Sequence, residues 1–103
     1  MVLINKVNVV PGLKGWLLIQ FDDNTKKLTN INPMMFGTLE KLKEDAFFEK
    51  AFVDSELQTV SWPGELDLDP DNLYKQGIDV EIVKNLIQAM KDNDDFSEFI
   101  KAC

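Results

Sequence analysis

Val60-Ser61-Trp62-Pro63-Gly64-Glu65-Leu66-Asp67-Leu68-Asp69-Pro70-Asp71-Asn72-Leu73-Tyr74 compresses a strand, a turn, a second strand and a helix start into one short stretch. Leu57 to Trp62 has the β-branched and aromatic character of a strand, and Pro63-Gly64 breaks it. Glu65 to Asp69 then alternates acid and leucine with period two, which puts Leu66 and Leu68 on one face and the carboxylates on the other. Asp69 reads as a helix cap and Pro70 as a first helical position, and the helix through Leu73-Tyr74 closes near Gly77.

Upstream, the signals are those of a meander. Lys6 to Val10 alternates weakly and ends at the turn signal Pro11-Gly12, and Gly15 to Phe21 is a stronger strand with Trp16 expected in the core. Asp22 to Thr25 is a polar turn, and Lys26 to Ile31 resumes as a third strand with Leu28 and Ile31 facing the core. Asn32 reads as a cap ahead of Pro33, with Met34 to Phe36 as a short helical turn ended by Gly37. From Thr38 onward Leu39, Leu42, Ala46 and Phe47 fall at helical spacing, which predicts helix from Thr38 to Val53; Asp45 offers a restart that would split it.

Downstream, Asp79 reads as the cap of the most amphipathic helix. Its apolar stripe is Ile82, Val83, Leu86, Ile87 and Met90, with Glu81, Lys84, Gln88 and Lys91 facing away. Asp92 to Asp95 interrupts, and Phe96, Phe99 and Ile100 suggest a last helical turn. The fold expected is α+β: a meander-rich antiparallel sheet of about five strands, helices on one face, and a C-terminal amphipathic helix. Residues 1–77 form the core domain and 78–103 a helical extension, packed on the core or at the interface of a homodimer. Packing on the core is preferred because a sheet needs a cover.

At 103 residues, 45% apolar and 28% charged, the composition is that of one soluble globular domain. The net charge is -7, from 18 acids against 11 bases, and every base is a lysine. Without arginine there is no planar fork to read guanine or phosphate, and an acidic surface repels a phosphate backbone, so direct nucleic-acid binding is not expected. The absence of histidine removes Ser-His-Asp and Cys-His chemistry and histidine-ligated zinc. The single cysteine, Cys103, has no partner for a disulfide and no identifiable activator. No apolar run approaches the roughly 20 residues that span a bilayer, and Met1 to Val7 lacks the pattern of a signal peptide. No membrane association and a cytoplasmic location are expected.

The acids invite two chemical readings. Asp67, Asp69 and Asp71 have the spacing that opens a calcium loop, but Asn72 stands where such a loop needs glycine and Ile78 where it needs glutamate. A solvated strand face and a helix cap account for the same residues, so no metal is assigned. Acid–base catalysis would need one of Glu65, Asp67, Asp69 and Asp71 driven into an apolar site, whereas their alternation points outward. No catalytic residue and no cofactor are expected. Trp62 either fills the core where two strands meet or lines a recognition surface beside Pro63-Gly64. Met34, Met35 and Phe36 either close the core or contact a partner.

The order of these features resembles a small bacterial family, domain of unknown function 2442. The resemblance runs over about residues 5–77, through Phe21-Asp22-Asp23, Leu42 to Phe48, Val53-Asp54, Thr59 to Pro63, and Asp67, Leu68, Pro70, Leu73 and Tyr74. It implies a compact α+β domain, followed in some members by a helix-turn-helix, and an antitoxin-like role for some; it implies no catalytic residues. Residues 78–103 are too short and too acidic for a DNA-binding helix-turn-helix.

The function expected is therefore that of a non-catalytic cytoplasmic interaction protein, antitoxin-like on the strength of the resemblance. A basic protein partner would be met through Trp62, Glu65, Asp67, Asp71 and Tyr74. The alternative is a small-molecule or metal-binding module that uses the Trp62–Tyr74 surface.

Overall fold

The run Trp16-Leu17-Leu18-Ile19-Gln20-Phe21 is apolar at odd and even positions alike, and a strand with two apolar faces must be covered on both. The computed structural model, which describes residues 2–90 and 99–100 and the side chains of all of these but 87–90, shows how. In chain order the elements are β1 (Ile4–Val9), β2 (Trp16–Phe21), β3 (Lys26–Asn30), 3-10 turns at Asn32–Met34 and Gly37–Lys43, and α1 (Asp45–Phe48). They continue with β4 (Phe52–Val53), β5 (Val60–Trp62), β6 (Leu66–Asp67), α2 (Pro70–Gln76), β7 (Ile78–Asp79) and α3 (Val80–Met90).

Two antiparallel sheets result, one in the order β1-β2-β3-β7 and one in the order β4-β5-β6. The odd side of β2, Leu17, Ile19 and Phe21, joins Ile31, Trp62 and Leu73 in the larger core. The even side, through Leu18, meets Leu28, Val10, Val80, Val83 and Ile100 in a second core. Each large side chain so buried stabilises the fold by roughly 1.5–3 kcal/mol. The α+β class holds, with the strands divided between two sheets rather than gathered in one of about five. The chain after Gly77 adds an edge strand to the four-stranded sheet before α3 lies across it.

Several local readings hold. The Asp69 carboxylate accepts from the Asp71 N–H at 3.1 Å and caps α2 behind Pro70, and the Asp79 carboxylate accepts from the Glu81 N–H at 2.9 Å at the start of α3. Leu66 and Leu68 turn inward while Glu65, Asp67 and Asp69 are exposed, as the alternation predicts.

Others are corrected. The helix expected from Thr38 to Val53 is a 3-10 stretch and a single α turn, divided at Glu44, whose ψ of 118° is extended. Leu39 and Leu42 are three residues apart, which suits the threefold 3-10 turn as well as the α-helix, and Phe52–Val53 is strand. The strand expected from Leu57 begins only at Val60, because the Asp54 carboxylate gathers the N–H groups of Glu56 and Leu57 into a turn. Asn32 caps nothing: its side-chain amide donates to the Lys14 carbonyl at 2.9 Å and braces the Gly15 turn. Gly15, at φ +82°, has no room for a Cβ against that amide. Trp16 is half-buried at the rim of the second core, not central to it. Within the α3 stripe Val83 is buried but Ile82 and Leu86 are exposed, because, of its described side chains, the helix turns Val80 and Val83 onto Leu18 and Leu28. The readings on Lys91, Asp92 to Asp95, Phe96 and Cys103, and on the side chains of Ile87, Gln88 and Met90, lie outside the described residues.

Candidate functional site

The outward side of β6 and the start of α2 carry the acids. Pro63-Gly64-Glu65 reverses the chain with Gly64 at φ 92° and Glu65 at φ 63°, which leaves the Glu65 side chain in solvent. Asp67, on the short edge strand β6, stands opposite Ser61 and is exposed. Two hollows flank this edge. One, of about 350 Å³, is lined by Leu3, Leu57, Thr59 and the three aspartates Asp67, Asp69 and Asp71. The other, of about 490 Å³, takes in Met34, Phe36, Leu39, Asp67, Asp69 and Asn72 among its walls. Phe36 (72% exposed) and Leu57 (54% exposed) put large apolar groups beside the carboxylates.

Of the five expected contact residues, Glu65 and Asp67 are free at the surface. Asp71 is half-buried, and its Oδ1 accepts from the Val2 N–H at 3.3 Å, tying the chain's beginning to α2. Of the two readings of Trp62 the core one holds, which removes it from the contact residues: it is 1% exposed, its indole N–H donates to the Phe48 carbonyl at 2.9 Å, and its ring lies 5.7 Å from that of Phe48. Met35 is buried as well, whereas its neighbour Phe36 faces out. Leu57 was not among the sequence candidates; it stands in the Asp54 turn and is exposed.

Tyr74 acts as a clip between α2 and the β2–β3 hairpin. Its ring meets Phe21 edge-on at 4.9 Å, its hydroxyl donates to Asp23 Oδ2 at 2.8 Å, and Lys27 Nζ lies 4.1 Å above the ring while donating to the Tyr74 carbonyl. The Asp23 carboxyl is held below its ordinary value by the Thr25 N–H, by the Thr25 hydroxyl and then by Tyr74. A further long-range tie closes the second sheet: the buried Thr59 hydroxyl donates to the Leu68 carbonyl at 2.6 Å.

No group of three or more histidine, cysteine, aspartate or glutamate side chains among the described residues is arranged to hold a metal ion. No helix among them is long and apolar enough to cross a membrane. What the β6–α2 edge offers is a row of carboxylates with apolar flanks, suited to the aliphatic stem and charged head of a lysine or arginine.

A family described as protein of unknown function (DUF2442) matches residues 7–79. No curated protein and no solved structure matches the chain. The residues that carry the resemblance meet one another in the fold: Phe21 and Asp23 with Tyr74, Phe48 with Trp62, Thr59 with Leu68.

Proposed function

The chain belongs to the family described as protein of unknown function (DUF2442), and from that premise we propose that it is a non-catalytic interaction protein of the cytoplasm, the antitoxin-like member of a two-protein regulatory module with a basic partner. The observation that supports this reading is the β6–α2 edge, where Glu65, Asp67 and Asp69 are exposed beside Leu57 and Phe36. Basic side chains of a partner would lay their stems on the apolar flanks and their heads on the carboxylates. The net charge of -7 would speed their encounter in a salt-dependent way.

The test is copurification of the tagged full chain from its native host after crosslinking, beside an E65K/D67K variant. A basic protein retained by the wild type and released by charge reversal or by salt supports the reading. Recovery of the chain alone, or a partner held equally by both proteins, overturns it. The small-molecule alternative rests on the 490 Å³ hollow beside Phe36. It requires that a metabolite raise the melting temperature of the wild type but not of a variant with Leu39 enlarged to tryptophan.

A further inference from the structure

β1 is an edge of the four-stranded sheet; β4 lies beside it without forming a ladder, and main-chain bonds close only part of that edge. At its beginning the Ile4 N–H donates to the Gln58 carbonyl at 2.9 Å. Further along, the Val10 N–H donates to the Trp16 carbonyl, so with the register Asn8↔Leu18 and Lys6↔Gln20 the even residues of β1 bond toward β2. In an antiparallel ladder the alternate residues then point their main-chain groups the other way. The N–H and C=O groups of Val7 and Val9 therefore project from the free edge, and no main-chain bond among the described residues takes them up.

They border a groove of about 650 Å³ between Val7–Val10 and α1. Phe48 and Ala51 form its apolar wall, and Asp45 and Glu49 stand on its rim. Lys14 pairs with Asp45 at 3.6 Å, but both side chains are largely exposed, and such a pair contributes little.

We propose that this groove takes up an extended, basic segment of a partner protein, which pairs with Val7 and Val9 as a fifth strand of the sheet. Main-chain hydrogen bonds supply the affinity, and alternate side chains of the segment fall on the apolar wall. Its lysines or arginines reach Asp45 and Glu49, displacing Lys14. A second copy of this chain fits less well: edge-to-edge pairing would set its own α1, with Asp45 and Glu49, against the first, between two chains of charge -7. The proposal rests on the interaction reading above but not on the Glu65–Asp67 row.

The probe is a capped synthetic peptide of alternating valine and lysine, compared with its valine–glutamate counterpart and with a version N-methylated on the amides that would face β1. Titration into the full chain is followed by amide hydrogen exchange and by calorimetry. The valine–lysine peptide is expected to slow exchange at the Val7 and Val9 amides by about tenfold or more at saturation, and to bind at least about tenfold more tightly than the acidic peptide. V9P deletes a donor that no β2 group uses and should abolish binding, whereas V9A should retain it. If V9P does not fold, loss of binding by the N-methylated peptide makes the same point from the ligand side. E65K/D67K should leave peptide binding unchanged, so failure here and failure of the acidic-edge reading are separable. Equal binding of acidic and basic peptides, protection elsewhere than at β1, or self-association of the chain that V9P disrupts would each overturn the proposal.

Discussion

Two buried threonines offer the sharpest test of how this fold is held. Thr29 is fully buried on the odd side of β3, opposite Leu17, and its hydroxyl has no hydrogen-bond partner among the described residues. Thr59 is also buried, but its hydroxyl donates to the Leu68 carbonyl at 2.6 Å. Valine replaces either with nearly the same shape, so T29V and T59V make one chemical change in two settings. A buried hydroxyl without a partner costs about 1–3 kcal/mol, and valine removes that cost while favouring the strand. T29V should therefore raise stability by about 1 kcal/mol, or roughly 4–8 °C in Tm for a domain of this size. T59V removes a short bond and strands the Leu68 carbonyl, so it should lower stability by about 1–3 kcal/mol. T29S, which keeps the hydroxyl and loses a methyl, should also destabilise. Urea unfolding decides the matter, with midpoints moving in opposite directions at constant m. If T29V lost as much as T59V, the Thr29 hydroxyl would have to be engaged, and the reasoning from its unmet hydrogen bond would be wrong.

The other predictions follow from single contacts. G77A places a methyl 2.7 Å from Lys27 Cβ and 2.9 Å from Thr29 Oγ1 where α2 ends against β3, and should cost about 1–3 kcal/mol in urea unfolding. W62F loses the bond to the Phe48 carbonyl and part of the ring's packing, a loss of about 2 kcal/mol that lowers the midpoint without exposing a new surface. The Asp23 carboxyl is held low in the folded chain, so its contribution is present above the unfolded value of about 3.9 and fades as pH falls through the lower folded one. The Tm gap between wild type and D23N should accordingly be open near neutrality and close in acid, and Y74F should narrow it only in part, because Thr25 is the larger cause.

Local chemistry was legible and distant contacts were not. Asp69-Pro70 announces a helix because the capping carboxylate and the N–H that donates to it lie two residues apart, and the Glu65–Asp69 alternation needs only the pleat of a strand. Trp16 and Trp62 both sit in apolar strands, yet Trp62 is enclosed between the sheets while Trp16 stands at the rim, because burial depends on what covers a face rather than on the strand itself. Asp71 and Tyr74 read as surface residues, since their partners Val2 and Asp23 are 69 and 51 residues away. The free edge of β1 left no mark in its sequence either: side-chain alternation is the same in an edge strand and an inner one, and only sheet order separates them.

The residues that carry the family resemblance have a bearing on where function lies. Phe21, Asp23, Phe48, Thr59, Trp62, Leu68 and Tyr74 are each engaged with another residue of that same group. Trp62 and Thr59 direct their polar atoms to main-chain carbonyls, and Tyr74 uses its hydroxyl on the Asp23 turn, so these donors already have acceptors within the fold. Such residues specify how two sheets and α2 close on one another, and a partner would have little left to take from them. Among the described groups still able to form strong contacts are the carboxylates of Glu65 and Asp67, the side chains of Phe36 and Leu57, and the main-chain edge at Val7 and Val9. Charge reversal at the first removes no bond that holds the frame, and N-methylation of a peptide ligand tests the last without altering the chain, so binding experiments can assign recognition to one surface or the other.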